Sequence, residues 1–153
     1  VAARALAAKV GSTCAGLREE TVLRWVAKRL DAADMATLAM LFSTGALARV
    51  EWLLLGGNRF GPAGGSALLD ELSCGDAPQL TYLGLHDSDL GTSGASALAA
   101  ALGRGALPKL QELYIGVNEI DDETLAVLAP ALRRRPDLKK LSLTHNRIRD
   151  AGV

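Results

Sequence analysis

The sequence predicts an α/β solenoid in which short strands and helices alternate along the chain. Three observations lead to this prediction: an apolar pattern that recurs at nearly constant intervals, a second pattern with helical spacing after most copies, and a proline before three of them. A single strand-turn-helix unit cannot bury its own apolar face, so such units stack side by side. We therefore expect a right-handed horseshoe with parallel strands on the concave side and helices on the convex side.

The predicted strands are the parts of each unit in which apolar residues occupy positions 1, 4 and 6 and a polar residue occupies position 9. Successive units begin 30, 30 and 28 residues apart. Because side chains alternate across a strand, we expect the residues at positions 4 and 6 to face the core. The four copies are Val50-x-x-Leu53-x-Leu55-x-x-Asn58, Leu80-x-x-Leu83-x-Leu85-x-x-Ser88, Leu110-x-x-Leu113-x-Ile115-x-x-Asn118 and Leu138-x-x-Leu141-x-Leu143-x-x-Asn146.

The predicted helices follow the strands and are marked by residues four positions apart, a spacing that places them on one helical face. That face must pack against the inward side of the strands, because neither element alone can bury its apolar residues. Pro78, Pro108 and Pro136 come after the helices, where proline ends a helix and favours extended chain. The matching helical positions are Gly64, Leu68 and Leu72, then Gly94, Leu98 and Leu102, then Thr124, Leu128 and Leu132.

These units resemble the ribonuclease-inhibitor type of leucine-rich repeat, which reads L-x-x-L-x-L-x-x-N followed by G-x-x-x-L-x-x-x-L. The resemblance covers residues 50–153. It implies that Asn58, Asn118 and Asn146 bury their amides and hydrogen-bond the turns of neighbouring units, forming a structural ladder. Ser88 departs from the pattern. Its shorter hydroxyl offers fewer donors, so we expect the ladder to weaken or to recruit a water there.

The segment before the clear repeats allows two interpretations. Leu38 and Phe42 stand where the later units have the second and third residues of their helical face, which favours a degenerate first unit. The strand of that unit would contain Leu23, Trp25 and Leu30, with Lys28 in the asparagine position.

The alternative is that residues 17–30 form one helix, because Val22, Val26 and Leu30 are also four positions apart. We favour the degenerate unit, preceded by a helical segment that includes a helix over residues 2–10. Periodicity alone does not decide between a strand and a helix in so short a run.

This interpretation divides the chain into two parts. Residues 1–49 are an N-terminal helical segment plus a degenerate first repeat, and residues 50–153 are leucine-rich repeats, three complete and a fourth truncated. Gly152 stands where Gly64 begins the first helical pattern, but the sequence stops at Val153. We expect this unfinished repeat to belong to a longer protein or to be covered by a partner.

The amino-acid composition bears on the kind of partner, on membrane insertion and on the compartment. Of the 153 residues, 49% are hydrophobic, and 17 basic and 17 acidic residues give a formal net charge of zero, which argues against nucleic acid or an anionic membrane as partner. No run approaches the roughly 18 apolar residues of a membrane span. Cys14 and Cys74 are too few for a disulfide framework and favour either an intracellular, reducing compartment or a pair of buried free thiols.

Strand residues that are not consensus leucines should face the concave side, where we expect a protein partner to bind. Trp52, Tyr82 and Tyr114 are predicted to form an aromatic row there, and exposed aromatic residues beside charges are typical of interfaces. The predicted partner-binding residues are Glu51, Trp52, Leu54, Tyr82, His86, Asp87, Glu112, Tyr114, Lys139, Lys140 and His145.

Only His86, Asp87 and His145 suggest a metal site or catalysis. His145 lies two units from His86, roughly 10 Å at strand spacing, whereas zinc ligands approach to about 2 Å. The sequence shows no signature of a nucleophile with its base and no phosphate-binding loop. The run Arg133-Arg134-Arg135 suits a helix end and solvent. We therefore predict no catalytic, cofactor-binding or metal-binding residues and a protein that is not an enzyme.

The predicted function is a protein–protein interaction scaffold, or a structural subunit of a multi-subunit complex, that binds through the concave face or the solenoid ends. The alternative is a GTPase-activating protein of the leucine-rich-repeat type. Such activators order the GTPase or supply an arginine, and Arg59 and Arg147 are the candidates on the turns. A third possibility is a spacer that is bound through its convex helices.

Overall fold

The computed structural model describes residues 2–135 and 137–146. Over these residues the chain begins with two helices and then alternates between three-residue strands and helices, as the repeat predicts. The elements are α1 (Ala2–Lys9), α2 (Cys14–Glu19), β1 (Val22–Arg24), α3 (Ala32–Ser43), β2 (Trp52–Leu54), α4 (Gly61–Leu72), β3 (Tyr82–Gly84), α5 (Gly91–Gly103), β4 (Glu112–Tyr114), α6 (Asp122–Arg133) and β5 (Lys140–Ser142).

The five strands form one parallel sheet in chain order, β1-β2-β3-β4-β5. Neighbouring strands are about 4.8 Å apart, whereas packed helices need about 8–10 Å, so the strand layer is shorter and lies on the concave side. The predicted α/β solenoid is therefore confirmed. The central row of the sheet contains Leu23, Leu53, Leu83, Leu113 and Leu141, each paired with the next.

The core lies between the sheet and the helices and forms one continuous cluster from α1 to α6. The predicted helical face is confirmed: Leu68, Leu98 and Leu128 are fully buried. The periodicity did not show that the helices also bury small residues against one another. Gly65 is the clearest case, because a Cβ atom there would lie 2.6 Å from Cδ2 of Leu90, which begins the next unit's helix.

The N-terminal segment contains a strand, so the alternative of one helix over residues 17–30 is wrong. β1 pairs in register with β2, and the backbone N–H of Trp25 donates to Leu54 O at 2.9 Å. A helix could not continue through the next turn, because Ala27 and Arg29 have φ angles of 54° and 59°. The helix predicted over residues 2–10 is present as α1.

Asn58 joins two consecutive turns through its side-chain amide. Its Nδ2 donates to Trp25 O and Leu55 O, both at 2.7 Å, and its Oδ1 accepts from the N–H groups of Lys28 and Leu30 at 2.8 and 3.2 Å. The amide is therefore buried with both of its ends hydrogen-bonded, which is the arrangement that stabilises a polar group in a core.

The ladder of side-chain amides is interrupted at Ser88. Asn118 accepts from two N–H groups of the preceding turn, one of them that of Ser88, at 3.1 and 3.2 Å. The hydroxyl of Ser88 instead donates to His86 O in its own turn. Among the described residues it accepts no hydrogen bond from the backbone N–H of Asn58 or Phe60, the donors that an asparagine at this position would satisfy.

One predicted role of the arginine run needs correction. Arg135 does not simply extend into solvent, because its guanidinium donates to Ala106 O at 2.6 Å and to Leu107 O in the preceding unit. The side chain therefore links two repeats at the turns before the strands. Arg133 and Arg134 are exposed, as predicted.

The fifth strand is less covered than the others. Leu141 is 40% exposed, whereas the corresponding leucines of the first four strands are buried. The predictions for Pro136, Arg147 and Gly152 lie outside the described residues.

Candidate partner-binding surface

The concave face is defined here as the side of the five-stranded sheet that points away from the helices. It carries two rows of side chains, and within each row the register of the sheet places residues of neighbouring strands next to each other. They alternate with the buried leucines along each strand. The first row contains Val22, Trp52, Tyr82, Glu112 and Lys140, and the second contains Arg24, Leu54, Gly84, Tyr114 and Ser142.

The three aromatic residues of this face form a continuous stack. The ring centroids of Trp52 and Tyr82 are 5.2 Å apart, and those of Tyr82 and Tyr114 are 4.9 Å apart, with interplanar angles of 24° and 26°. Trp52 is 41% exposed at the outer end. The stack presents a pre-ordered aromatic surface, because rings that already contact each other lose less freedom when a partner binds.

The predicted single aromatic row is wrong in one respect, since Tyr114 lies in the second row. Tyr82 reaches it by leaning over Gly84, where a Cβ atom would stand 3.3 Å from Cε1 of the Tyr82 ring. The absence of a side chain at Gly84 therefore allows a diagonal contact between two rows.

Glu112 and Lys140, the last two residues of the first row, form an ion pair beside the stack. Lys140 Nζ lies 3.2 Å from Glu112 Oε1, and this hydrogen bond raises the pKa of Lys140. Burial raises the pKa of Tyr82, and the nearby Tyr114 and Glu112 add to the effect. Tyr82 therefore remains a neutral hydrogen-bond donor at physiological pH.

The turns after the strands form a second, more polar region. The imidazole of His86 lies over Gly56, where a Cβ atom would be only 2.0 Å from its Cε1. Asp87 is not on the strand row but in the following turn, with a φ angle of 49°, and pairs with Arg59 at 3.2 Å. A groove of about 440 Å³ opens here; it is lined by Arg59, Asp87, Asp89, Val117, Glu119 and His145.

The other predicted binding residues are accessible at the start of the strands or along them. Glu51 and Lys139 are exposed immediately before β2 and β5, and Leu54 is half-buried. His145 is exposed but occupies the turn position of Asp87 rather than the row of His86. These residues are therefore spread over a surface that runs from the strand starts to the turns.

Sequence reasoning missed the contribution of the first unit to this surface. Val22 extends the first row beyond Trp52, and Arg24 extends the second row beyond Leu54. Val26 follows in the turn and is 40% exposed. The only available signal was the weak repeat around Leu23, and without the register it did not show which residues face outward.

Several other site types have no residues that support them in the part of the chain that the structure describes. No cluster of three histidine, cysteine or acidic residues within residues 2–135 and 137–146 could hold a metal ion. No helix among the same residues is both long enough and apolar enough to cross a bilayer. Arg59, a candidate for GTPase activation, is exposed and bound to Asp87, and Arg147 lies outside the described residues.

Comparisons with known proteins give a family match to one end of the chain and a similar solved structure. A family model for the leucine-rich repeat matches residues 136–153. The sequence has no significant match among curated proteins. Among solved structures, an internalin from Listeria monocytogenes is similar, with 16% sequence identity and a TM-score of 0.43. That match covers 90% of this chain and 45% of the internalin, so the chain spans less than half of its length.

The ribonuclease-inhibitor type stays a resemblance, because the family match does not distinguish among repeat types. The leucine-rich-repeat architecture in general has more support. Units recur at constant offsets, their strands form one parallel sheet, and buried asparagines join their turns. With the family match to the last unit, these features support a leucine-rich-repeat fold for the chain.

Proposed function

We propose that this chain is a protein-binding scaffold or a structural subunit of a larger assembly, and that it binds a protein partner through the concave face. Leucine-rich repeats are in general protein-interaction modules, because stacking units creates an extended surface. The proposal assigns that general role to a particular face of this chain.

The stack of Trp52, Tyr82 and Tyr114 carries the proposal. Aromatic residues dominate the binding energy of many interfaces, and they do so best when they are rigid and partly exposed. The stack meets both conditions, and the Glu112–Lys140 pair places charges beside it. Apolar contact surrounded by polar groups is the usual composition of a protein interface.

The test compares proteins that co-purify with three forms of the chain from a lysate of its source organism. One form is unchanged and one carries Trp52→Ser, Tyr82→Ser and Tyr114→Ser. The third is a matched control with Met40→Ser and Val127→Ser, two apolar residues exposed on the helices. Quantitative mass spectrometry should show partners that are lost with the concave variant and kept with the control. All three should have the same helical circular dichroism.

The opposite pattern would overturn the proposal. Partners that survive the concave variant but are lost with the helix variant would show that the protein is bound through its convex helices. Partners that survive both variants would exclude the aromatic stack as the binding site.

The compartment is part of the proposal. Cys74 is an exposed free thiol. An intracellular, reducing environment suits such a residue, because an exposed thiol in an oxidising compartment is open to mixed disulfides.

A further inference from the structure

We infer that the N-terminal end of the concave face binds an acidic segment of the protein partner that also carries an apolar or aromatic side chain. This inference rests on the proposed function, since it names the chemistry of the partner at the same face. It depends on a basic patch, defined as Arg24, Lys28 and Arg29, and on the apolar residues beside it.

The cations of the basic patch are exposed. Among residues 2–135 and 137–146, neither Arg24, Lys28 nor Arg29 forms an ion pair. The surface therefore presents positive charge that is available to the acidic group of a partner.

In residues 1–49, Glu20 accepts a hydrogen bond from the Ser12 hydroxyl at 3.4 Å, and each of the other three acidic residues forms an ion pair or caps a helix. Asp34 pairs with Lys9 at 2.5 Å, and Glu19 pairs with Arg49 at 2.9 Å. Asp31 caps α3. Rearrangement of these carboxylates toward the basic patch would break a cap or an existing ion pair.

Apolar residues surround Arg24 on the concave face. Val22 and Val26 flank it along the chain, and Trp52 lies beside Val22 in the neighbouring strand. The stack ends at Trp52, whose neighbour in the first row is Val22, not another aromatic residue. Residues two apart on a strand are roughly 7 Å apart, so one partner segment can place an apolar side chain against Trp52 and a carboxylate at Arg24.

The basic patch extends over only a short part of the solenoid, which favours a protein over nucleic acid as the partner. The turn positions of Ala27 and Arg29 are occupied two units later by Asp87 and Asp89. A phosphate backbone that followed the solenoid would therefore leave the basic patch and meet acidic residues. Nucleic-acid surfaces need a basic track along the bound strand, whereas a short acidic segment needs only the first unit.

The experiment selects binders from a random peptide library displayed on phage, with the full chain as target. Selected peptides are then measured against a patch variant with Arg24→Glu, Lys28→Glu and Arg29→Glu. The matched control has Arg4→Glu, Arg104→Glu and Arg133→Glu, which change the net charge equally at exposed residues within helices or directly after one. Glutamate is tolerated at position 29, because Glu119 occupies the equivalent turn position with the same φ of 59°.

We expect the selected peptides to be acidic and to contain an aromatic or aliphatic residue. The patch variant should weaken their binding at least about tenfold, because three exposed charge pairs become repulsive. The control should bind as the unchanged chain does, and rising salt should weaken binding to the unchanged chain. Thermal unfolding should show that both variants are folded.

Each contrary outcome has a distinct meaning. Neutral or basic peptides that require Trp52, Tyr82 and Tyr114 would overturn the acidic partner but retain the concave binding site. Peptides that are insensitive to both the patch and the aromatic variants would overturn both proposals, as would a failure to select any concave-face binder. Single-stranded oligothymidylate that binds the unchanged chain and not the patch variant would replace the acidic peptide with nucleic acid.

Discussion

Gly84 decides whether the two tyrosines of the concave face meet. It lies between Leu54 and Tyr114 in the second row, and its missing side chain lets the Tyr82 ring lean across. A larger residue would hold Tyr82 upright in its own row. The stack therefore depends on a residue that contributes no contact surface, which is why a list of aromatic residues does not reveal it.

Ser88 is the residue at which substitution should stabilise the protein. An asparagine there would accept from the backbone N–H groups of Asn58 and Phe60, as Asn118 does from the next turn. We expect Ser88→Asn to raise the free energy of unfolding by about 1–2 kcal/mol, because it satisfies buried donors. Urea denaturation of the full chain measures the change.

The control for this prediction is the reverse change, from asparagine to serine, at the equivalent position of the next unit. Asn118→Ser removes the amide that accepts two turn N–H groups and donates to Leu85 O at 2.8 Å. It should lower the free energy of unfolding by roughly 2–3 kcal/mol. Equal stability of Ser88→Asn and the unchanged chain would show that the buried donors are satisfied in another way.

At the scale of an element, α3 is the helix with the most complete N-terminal cap. Asp31 accepts from the N–H of Asp34 at 2.9 Å, and Asp34 accepts from the N–H of Asp31 at 3.0 Å. Lys9 of α1 reaches the same Asp34 carboxylate at 2.5 Å. The Asp34 side chain therefore both completes the N-terminal cap of α3 and attaches α1 to this helix.

This arrangement makes stability depend on pH. Burial by itself would raise the pKa of Asp34, but the hydrogen bonds from Lys9 and from the N–H of Asp31 outweigh it and lower the pKa below 3.8. The contribution is therefore present above the unfolded pKa and is lost as the pH falls through the folded pKa. We expect Asp34→Asn to cost about 1 kcal/mol near neutral pH.

The measurement is urea denaturation of both forms from about pH 7 down to about pH 3. The difference in unfolding free energy should shrink as the pH falls below the unfolded pKa of Asp34 toward its lower folded pKa, because the unfolded carboxylate binds a proton before the folded one does. Lys9→Met is the control that removes the ion pair and leaves the capping box intact, so it should reduce part of the same pH dependence. A difference that stays constant over the whole range would contradict the assignment to Asp34.

At the scale of the whole molecule, stability should vary along the solenoid. Each unit contacts mainly its neighbours, so local opening costs least where the apolar side chains are least covered. Leu141 is 40% exposed in the fifth strand, whereas Leu53 is fully buried in the second. The end of the sheet at β5 is therefore expected to open first.

Amide hydrogen exchange followed by NMR tests this gradient. The N–H of Ile115, which donates to Ser142 O at 3.0 Å, should exchange faster than the N–H of Leu55, which donates to Gly84 O at 2.8 Å. Both hydrogen bonds join equivalent positions of neighbouring strands, so the two amides differ mainly in how far along the solenoid they lie. Equal protection of the two amides would indicate that the whole chain unfolds as one cooperative unit.

The regular part of the fold was predictable because its signal is local and repeated. Leu53 and Leu68 recur with the same offsets in later units, and each copy strengthens the same assignment. The first unit was harder to assign. Val22, Val26 and Leu30 fit helical spacing, whereas Leu23 and Trp25 fit the strand pattern, and only the structure, through the pairing of β1 with β2, excluded the helix.

The sequence by itself determined the solenoid, the positions of the clear units, the buried leucines and the asparagine positions, since all of these follow from spacing along the chain. The tertiary structure decided which strand residues stand beside one another. Register and the space above Gly84 brought Tyr82 to Tyr114, and the pairing of β1 placed Arg24 beside the apolar end of the concave face. These contacts lie between units about 30 residues apart, where distance along the chain does not specify the position of side chains across a sheet.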